Sequence, residues 1–244
     1  MSEKSNVFNK LTLILSGTSI AVCFGGMVLA HKEIVAPSVG AGLFVASGLL
    51  GLAALVAASL VVFIHRAYPV ALVGAFGLMP LIAVLTGLLG AYQHPRINDI
   101  STDLSDPPAF AAAAQQPGNA GRDLGFPPAN AEQIKLGYSR IQPLNLNLSP
   151  QQGYERALEV AQMHKDWEIT RQDAATLTFE GVAKSKLFRW HDDFIVRVRP
   201  GAEGGSRVDM RSKSRELKSD LGANARRIEQ YFAELQQYDV RKPQ

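Results

Sequence analysis

Hydrophobic residues are concentrated in the first 92 positions of the chain, where they form three stretches of membrane-spanning length. Leu11–Ala30 contains no formally charged residue, and about 20 such residues suffice for a helix to cross a hydrocarbon core of about 30 Å. Residues 41–64 and 68–92 form the second and third stretches. Because unpaired backbone amides are costly in lipid, each stretch is predicted to be a helix, and Pro80 is predicted to kink the third.

Basic residues beside these stretches predict an orientation. Lys4 and Lys10 precede the first stretch, and Arg66 lies between the second and the third. Because positively charged flanks remain in the cytoplasm, the N-terminus is predicted to be cytoplasmic and the chain after Tyr92 to lie outside the cytoplasm. A second interpretation makes the first stretch a cleaved signal peptide, which leaves the predicted side of the C-terminal part unchanged.

The three stretches contain no Asp, Glu, Lys or Arg. Ion and proton pathways usually need such a residue inside a span, so a transport function is disfavoured. Small residues recur at four-residue spacing, as at Ser47 and Gly51, and they allow helix backbones to approach closely. Packing within one three-helix bundle explains this pattern, and homodimerisation is the alternative, so the oligomeric state stays open.

Charged residues lie mainly after position 93, and the whole chain has a formal net charge of +3. This mild basicity and the predicted location argue against nucleic-acid binding. Cys23 is the only cysteine and lies in the first stretch, so the C-terminal part can hold no disulfide, thiolate cluster or thiol nucleophile. No two of the five histidines have ligand spacing, and neither a metal nor a cofactor is predicted.

Residues 93–140 are predicted to be a linker rich in proline and alanine, because six prolines interrupt any regular element. Three acidic residues within it, Asp99, Asp103 and Asp106, suggest a metal-binding loop. The glycine and the terminal glutamate of a calcium loop are absent, however. Turn formation by the Asn and Asp side chains is therefore the favoured interpretation.

Residues 141–238 are predicted to form a β-α-β-β-β-β-α domain, an antiparallel sheet with both helices on one face. Ile141–Leu148 alternates as a strand, and a capping box of Ser149 and Gln152 starts a helix that ends near His164. The other predicted strands are Trp167–Arg171, Ala175–Ala183, Phe194–Arg199 and Ser206–Lys213. Asp220 is predicted to cap the last helix. The apolar face of that helix is predicted to comprise Leu221, Ala225, Ile228, Phe232 and Leu235.

The last two strands are predicted to pair as a hairpin in which Arg199 lies opposite Arg207. This register sets Arg197 against Asp209 and sends the alternating charged side chains to one face of the sheet. The residues directed to the other face, toward the core, are Phe194, Val196, Val198, Val208 and Met210. The charged face is predicted to be partly open to solvent.

Five segments of the C-terminal part share a pattern with a known family: residues 98–103, 107–110, 192–198, 206–215 and 219–228. Together they resemble the bacterial family catalogued as domain of unknown function 1499. The resemblance covers roughly residues 95–238, and Leu217 stands where the family is associated with a glycine. It implies N-terminal membrane helices and no established activity. The predicted location is therefore the bacterial inner membrane, with the C-terminal domain in the periplasm.

A basic strip on the last hairpin is the candidate binding site. It would hold an anionic lipid, a glycan or a protein partner, because arginine and lysine bind phosphate and carboxylate groups. Its candidate residues are Arg197, Asp209, Arg211, Lys213 and Arg215. For the strip itself, a solvated face with cross-strand ion pairs is the favoured interpretation.

A second polar cluster raises the possibility of catalysis. Its members are His191, Asp193, Ser212, Ser214, Asp220 and Asn224. A hydrolase would use one of the two serines as nucleophile and His191 as base, but no nucleophile elbow surrounds either serine. Strand alternation also places both serines on the face opposite the charged one. We therefore predict no catalytic residue and a non-catalytic binding domain, with a membrane-tethered periplasmic hydrolase as the alternative.

Overall fold

The computed structural model describes residues 3–65, 72, 74–91 and 94–241. These residues form two compact units. The described residues before position 94, together with Lys186–Arg189, form the first unit, and the remaining described residues form the second.

The first unit is helical, with α1 (Glu3–His31), α2 (Pro37–His65) and α3 (Leu78–Ala91). Two segments, Val7–His31 and Pro37–Ile64, are long and apolar enough to cross a membrane. The helical segment in the region of the predicted third span, Gly74–Gly87, is shorter than such a span requires. The described residues thus confirm two candidate spans and do not confirm a third.

Several residues used in the prediction of the third span and of the orientation lie outside the described residues: Arg66, Tyr68 and Tyr92. Pro80 falls in the first turn of α3. A proline is accommodated there because the first N–H groups of a helix have no intrahelical partner. Residues 74–76 are helical as well, and a turn at Gly77 separates them from α3, so the helix is interrupted three residues before Pro80.

Small residues bring the helices of the first unit into close contact, as their spacing predicts. A Cβ added at Gly51 would lie only 2.1 Å from the carbonyl oxygen of Gly77, which leaves no room for a side chain. Ser19 Oγ donates a hydrogen bond to the carbonyl oxygen of Ser47 at 2.8 Å. Such contacts stabilise helix packing where no hydrophobic effect drives the helices together.

The second unit is a mixed α+β domain built on an open antiparallel sheet. Its strands are β1 (Asp99–Ser101), β2 (Leu144–Leu146), β3 (Trp167–Asp173), β4 (Thr178–Lys184), β5 (His191–Pro200) and β6 (Ser206–Ser214). The strand order is β1-β6-β5-β4-β3, and β2 also pairs with β6. Both β1 and β2 lie along the same edge of β6, because they pair with residues 211–213 and 206–208 respectively.

The predicted hairpin register is confirmed. Arg199 lies opposite Arg207, and Arg197 lies opposite Asp209. The five predicted core residues of these strands are all buried: Phe194, Val196, Val198, Val208 and Met210. A strand period of two therefore suffices to assign the faces of β5 and β6.

Three helices complete the second unit: α4 (Pro128–Gly137), α5 (Pro150–Gln162) and α6 (Ala223–Arg241). The capping box of Ser149 and Gln152 at the start of α5 is confirmed. Side chains of α5 and α6, including Val160 and Ile228, join the inner sheet face in one hydrophobic cluster. Tyr231 Oη of α6 donates to the carbonyl oxygen of Ala157 in α5 at 2.6 Å, which links the two helices.

The start of α6 differs from the prediction at one residue. Asp220 accepts hydrogen bonds from the backbone N–H groups of Gly222 and Asn224, which confirms it as the cap. Leu221, however, has a left-handed φ of 52° and is exposed, so its predicted place on the apolar face is wrong. Leu221 precedes the first helical turn, and its side chain therefore follows the capping turn and not the helix period.

Part of the predicted linker, residues 93–140, belongs to the second unit. It supplies β1 and α4, which the predicted order β-α-β-β-β-β-α lacks. Buried apolar residues of this segment, among them Ile100 and Ile134, join the hydrophobic core. The chain ahead of residue 141 is therefore a structural part of the domain.

Candidate anion-binding site

Residues 103–126, which follow β1, run across the sheet face that lies opposite α5 and α6. The buried carboxylate of Glu180 on β4 accepts hydrogen bonds at 2.9 Å from three successive backbone N–H groups, those of Ala111, Ala112 and Ala113. Asn119 Nδ2 donates to Asp193 Oδ2 on β5 at 2.8 Å. The prediction that the charged face is partly open to solvent is therefore wrong at Glu180 and Asp193, because this segment of the same chain covers them.

Arg211 lies at the centre of this covered face and its side chain is only 2% exposed. Its guanidinium forms a bidentate pair with Asp99, at 2.9 Å from Nε and 2.8 Å from Nη2. It also donates to the carbonyl oxygens of Pro108 and Leu124. The ring of Phe110 lies 4.7 Å from the guanidinium carbon. Arg211 thus has its hydrogen-bonding capacity largely filled from within the protein.

Two other candidate cations are paired in the same way. Lys213 Nζ lies 2.9 Å from Asp99 Oδ2, and Arg215 Nη2 lies 2.6 Å from Asp193 Oδ1. Both carboxylates are buried. Lys213 and Arg215 therefore balance buried acids, since an unpaired buried charge would be strongly destabilising. Lys213 and Arg215 thus have a structural role in the covered face.

The remaining candidate, Arg197, belongs to a different cluster. Arg197, Arg199 and Arg207 converge on two buried carboxylates, Asp103 and Asp209. The shortest contacts are 2.5 Å from Arg199 Nη2 to Asp103 Oδ2 and 2.8 Å to Asp209 Oδ2. We name these three side chains the arginine cluster.

The arginine cluster is more exposed than the cations of the covered face. The exposed fractions of the side chains are 17% for Arg197, 33% for Arg199 and 37% for Arg207. Of these three arginines, only Arg197 belongs to the candidate binding residues predicted from the sequence. The predicted register contained a signal for the other two, because Arg199 opposite Arg207 sets two like charges together and so requires carboxylates close by.

Asp106 is the most exposed acid at this cluster, with 66% of its side chain exposed. Its Oδ2 accepts hydrogen bonds from Arg197 Nη1 at 3.1 Å and from Arg199 Nη1 at 2.9 Å. One carboxylate oxygen thus bridges two guanidinium groups at the surface. A carboxylate or phosphate oxygen from another molecule has the chemistry to make the same bridge.

Asp103 holds both the arginine cluster and the loop that carries Asp106. Its Oδ1 accepts hydrogen bonds from Ser105 N, Ser105 Oγ and Asp106 N, which is the side-chain turn favoured from the sequence. Burial raises the pKa of Asp103, but hydrogen bonds from Asp106, Ser105 and Arg199 outweigh it and lower the pKa to about 2. Asp103 therefore remains a carboxylate at any physiological pH.

A shallow groove of about 550 Å³ adjoins the arginine cluster. Its polar lining includes Arg207, Asp103 and Lys135, and its apolar lining includes Leu104 and Ile134. A ligand whose anionic group contacted the arginine cluster could place a neighbouring apolar part in this groove. A concave surface with a few convergent polar groups is the usual form of a small-ligand site.

The family model for the protein of unknown function DUF1499 matches residues 99–235 of this chain. The chain belongs to the DUF1499 family. The match begins at β1, so the DUF1499 domain includes the segment that covers the charged sheet face. No curated protein matches the chain.

The two candidate serines lie on the helix-facing side of the DUF1499 sheet, as strand alternation predicts. Ser212 Oγ donates to Asn224 Oδ1 at 2.8 Å and accepts from Arg227 Nη1 at 2.9 Å. Ser214 Oγ accepts from Asn224 Nδ2 at 3.1 Å. Both serines are buried. Their described contacts join them to α6, and the network fixes that helix on the sheet.

His191 of the DUF1499 domain pairs with Glu216. Its Nδ1 lies 2.9 Å from Glu216 Oε1, and its backbone N–H donates to Glu216 Oε2. Burial raises the pKa of Glu216, but the hydrogen bonds from His191 outweigh it and lower the pKa. The described contacts of His191 thus do not assemble it with Ser212 or Ser214. Among the described residues, no group of three or more His, Cys, Asp or Glu is placed to hold a metal ion.

Proposed function

We propose that this chain is a membrane-anchored, non-catalytic binding protein whose DUF1499 domain recognises an oxyanion at the arginine cluster. The supporting observation is the convergence of Arg197, Arg199 and Arg207 at a partly exposed position, where the other candidate cations are buried. Arginine suits this role because its planar guanidinium matches the geometry of a carboxylate or a phosphate.

The charge of the cluster supports the choice of an anion. Three arginines face two buried acids, Asp103 and Asp209, so one positive charge remains and Asp106 balances it. Asp106 is the exposed member, and its carboxylate can leave without exposing a buried charge. The ligand oxyanion takes the position of Asp106 and restores the same balance.

Two ligand sources share this chemistry, the phosphate of a lipid headgroup and the carboxylate of a glycan. The membrane anchor favours ligands found beside a bilayer. In this proposal the chain is a multi-pass protein of a bacterial inner membrane, with its N-terminus in the cytoplasm and its DUF1499 domain in the periplasm. The two apolar helices support the anchoring, and the flanking Lys4 and Lys10 support the cytoplasmic N-terminus. A periplasmic DUF1499 domain requires a third crossing in addition to these two helices, which the proposal places at residues 68–92.

The test is a calorimetric titration of the full chain, held in nanodiscs of neutral lipid at low ionic strength. Glycerol 3-phosphate represents the lipid phosphate, glucuronate represents the glycan carboxylate, and glycerol is the uncharged control. We expect one of the two anions to bind saturably and Arg199→Gln to abolish that binding. Arg140→Gln is the matched control, because Arg140 is 83% exposed and pairs with Glu229 outside the cluster.

Asp106→Asn gives the second arm of this test. The substitution removes the competing carboxylate while it leaves the three arginines in place, so we expect tighter anion binding. Binding of neither anion to the wild type or to Asp106→Asn contradicts the proposal. Binding that survives Arg199→Gln contradicts it as well, because the anion would then lie elsewhere.

A further inference from the structure

The connection between β4 and β5 forms a short closed tip. The backbone N–H of Ser185 donates to the carbonyl oxygen of Trp190 at 2.8 Å, and the N–H of Trp190 donates to Ser185 Oγ at 3.0 Å. Arg189 has a left-handed φ of 62°, which turns the chain back toward β5. These bonds give Lys186–Arg189 a defined shape, and we name these four residues the hairpin tip.

The hairpin tip combines basic and apolar side chains. Lys186 and Arg189 flank Leu187 and Phe188, and no acidic residue occurs between Glu180 and Asp192. Leu187 is 47% exposed. Aromatic and aliphatic side chains beside lysine and arginine are typical of segments at the bilayer interface, where the apolar groups enter the hydrocarbon boundary and the cations meet lipid phosphates.

The contacts of the tip within the first unit agree with this composition. The ring of Phe188 packs edge-on against Phe44 of α2, with 5.7 Å between the ring centroids. Arg189 Nε lies 3.4 Å from Glu33 Oε1 in the turn between α1 and α2. Phe44 is seven residues beyond Pro37, which places it about 10 Å along α2 at a rise of about 1.5 Å per residue. That distance corresponds to the outer boundary of a hydrocarbon core when α2 spans the bilayer.

We propose that the hairpin tip is a membrane-contact element that binds the headgroup layer of a bilayer containing anionic lipid. Leu187 and Phe188 enter the interface, and Lys186 contacts lipid phosphates, while Arg189 holds the tip to Glu33. The proposal rests on the membrane anchoring stated above and does not depend on the arginine cluster. It assigns a lipid partner to a loop that the candidate site does not use.

Tryptophan fluorescence gives a direct test, because Trp167 and Trp190 are the only tryptophans of the chain. Trp190 adjoins the tip, while Trp167 stacks on His164 with 4.3 Å between ring centroids in the second unit. The full chain is reconstituted into vesicles whose lipids carry bromine near the glycerol end of the acyl chains. We expect the wild type to lose the Trp190 share of its emission and Trp190→Phe to keep its emission. Equal fractional quenching of the two proteins overturns the proposal.

Two further comparisons make the test specific. Phe188→Ser is expected to reduce the quenching of Trp190, whereas Leu136→Ser is the control, since Leu136 is 87% exposed on α4 outside the tip. Replacement of neutral lipid by anionic lipid is expected to increase the quenching of Trp190. Lys186→Ala is expected to make that increase smaller. If neither the substitutions nor the lipid composition changes the quenching of Trp190, the proposal is overturned.

Flotation of the same vesicles distinguishes failure of the membrane anchoring from failure of the tip proposal. A chain that fails to float with the vesicles overturns both the anchoring and the tip proposal. A chain that floats while Trp190 remains unquenched overturns the tip proposal alone and leaves the anchoring in place.

Discussion

The two faces of the DUF1499 sheet are both buried, but by opposite chemistry. The inner face presents Phe194 and Val196 to α5 and α6, and hydrocarbon packs against hydrocarbon. The outer face presents Glu180, Asp193 and Arg211 to residues 103–126, which donate N–H groups to the two acids and accept hydrogen bonds from Arg211. Charges also pair within this face, as Arg211 does with Asp99 of β1. Strand alternation thus tells which side chains share a face, whereas burial depends on what the rest of the chain places over that face.

The two kinds of contact specify structure differently. Apolar burial is non-directional and contributes about 25 cal/mol per Å² of surface removed from water. A buried ion pair gains little net free energy, because desolvation offsets the Coulomb attraction, but loss of one partner leaves a buried charge. The outer face should therefore tolerate substitution less well than the inner face, even when the side chain keeps its shape.

The largest expected effect follows from Asp99→Asn, which preserves shape but removes the charge shared by Arg211 and Lys213. We expect the free energy of unfolding to fall by about 3–5 kcal/mol, because two cations lose their buried counter-charge. Urea unfolding of the full chain in detergent, followed by tryptophan emission, measures the change. Asp123→Asn is the control, since Asp123 is an exposed acid in the same segment. Equal effects of the two substitutions would show that the covered face has no special sensitivity.

Asp103→Asn should lower the free energy of unfolding by about 2 kcal/mol at neutral pH, since hydrogen bonds to a charged group are weakened. It should also change the pH dependence. The pKa of Asp103 is lowered from 3.8 to about 2, so its stabilising effect is complete above pH 4 and disappears as the pH falls toward 2. Urea midpoints measured between these pH values should fall more steeply for the wild type than for Asp103→Asn. Parallel curves would contradict the role given to Asp103.

A conservative change on the inner face should have a smaller effect. Ile228→Val removes one buried methylene group of α6 and should lower the free energy of unfolding by about 0.5–1.5 kcal/mol. The same urea titration measures it. If Ile228→Val destabilised the domain more than Asp99→Asn, the proposed contrast between the two sheet faces would be reversed.

The smallest effect is expected at an exposed pair. Lys135 Nζ lies 2.9 Å from Glu132 Oε1 on α4, and both side chains are mostly exposed. Glu132→Gln should change the free energy of unfolding by less than about 0.5 kcal/mol, because solvent and salt screen such pairs. A loss comparable to that of Asp99→Asn would mean that charge itself, and not its burial, governs stability here.

The features that the sequence predicted correctly depend on short-range periodicity. The register of β5 with β6, the capping box at Ser149 and the face of Ser212 each follow from spacing within a strand or at a helix end. The cover of the outer face depends on contacts between distant positions. Ala111 and Glu180 are 69 residues apart, and no local pattern in the proline-rich segment indicates that three of its N–H groups meet one carboxylate.

The candidate site shows the same division. Alternation placed Arg197 and Arg211 on one face, but it could not show that Arg211 is enclosed by Asp99, Pro108 and Leu124 while Arg197 remains partly exposed. Arg199 and Arg207 were overlooked because their importance arises from a shared contact with Asp103, about 100 residues earlier in the chain.

Residues 103–126 form a permanent cover of the charged sheet face, which leaves the arginine cluster as the partly exposed portion of that face. Hydrogen exchange of the full chain in detergent tests this claim most directly at Ala111, Ala112 and Ala113, whose N–H groups donate to Glu180. The account predicts that these amides exchange slowly, with protection approaching that of β5, and that Glu180→Gln accelerates their exchange. Exchange as fast as that of a solvated linker in the wild type would contradict the account.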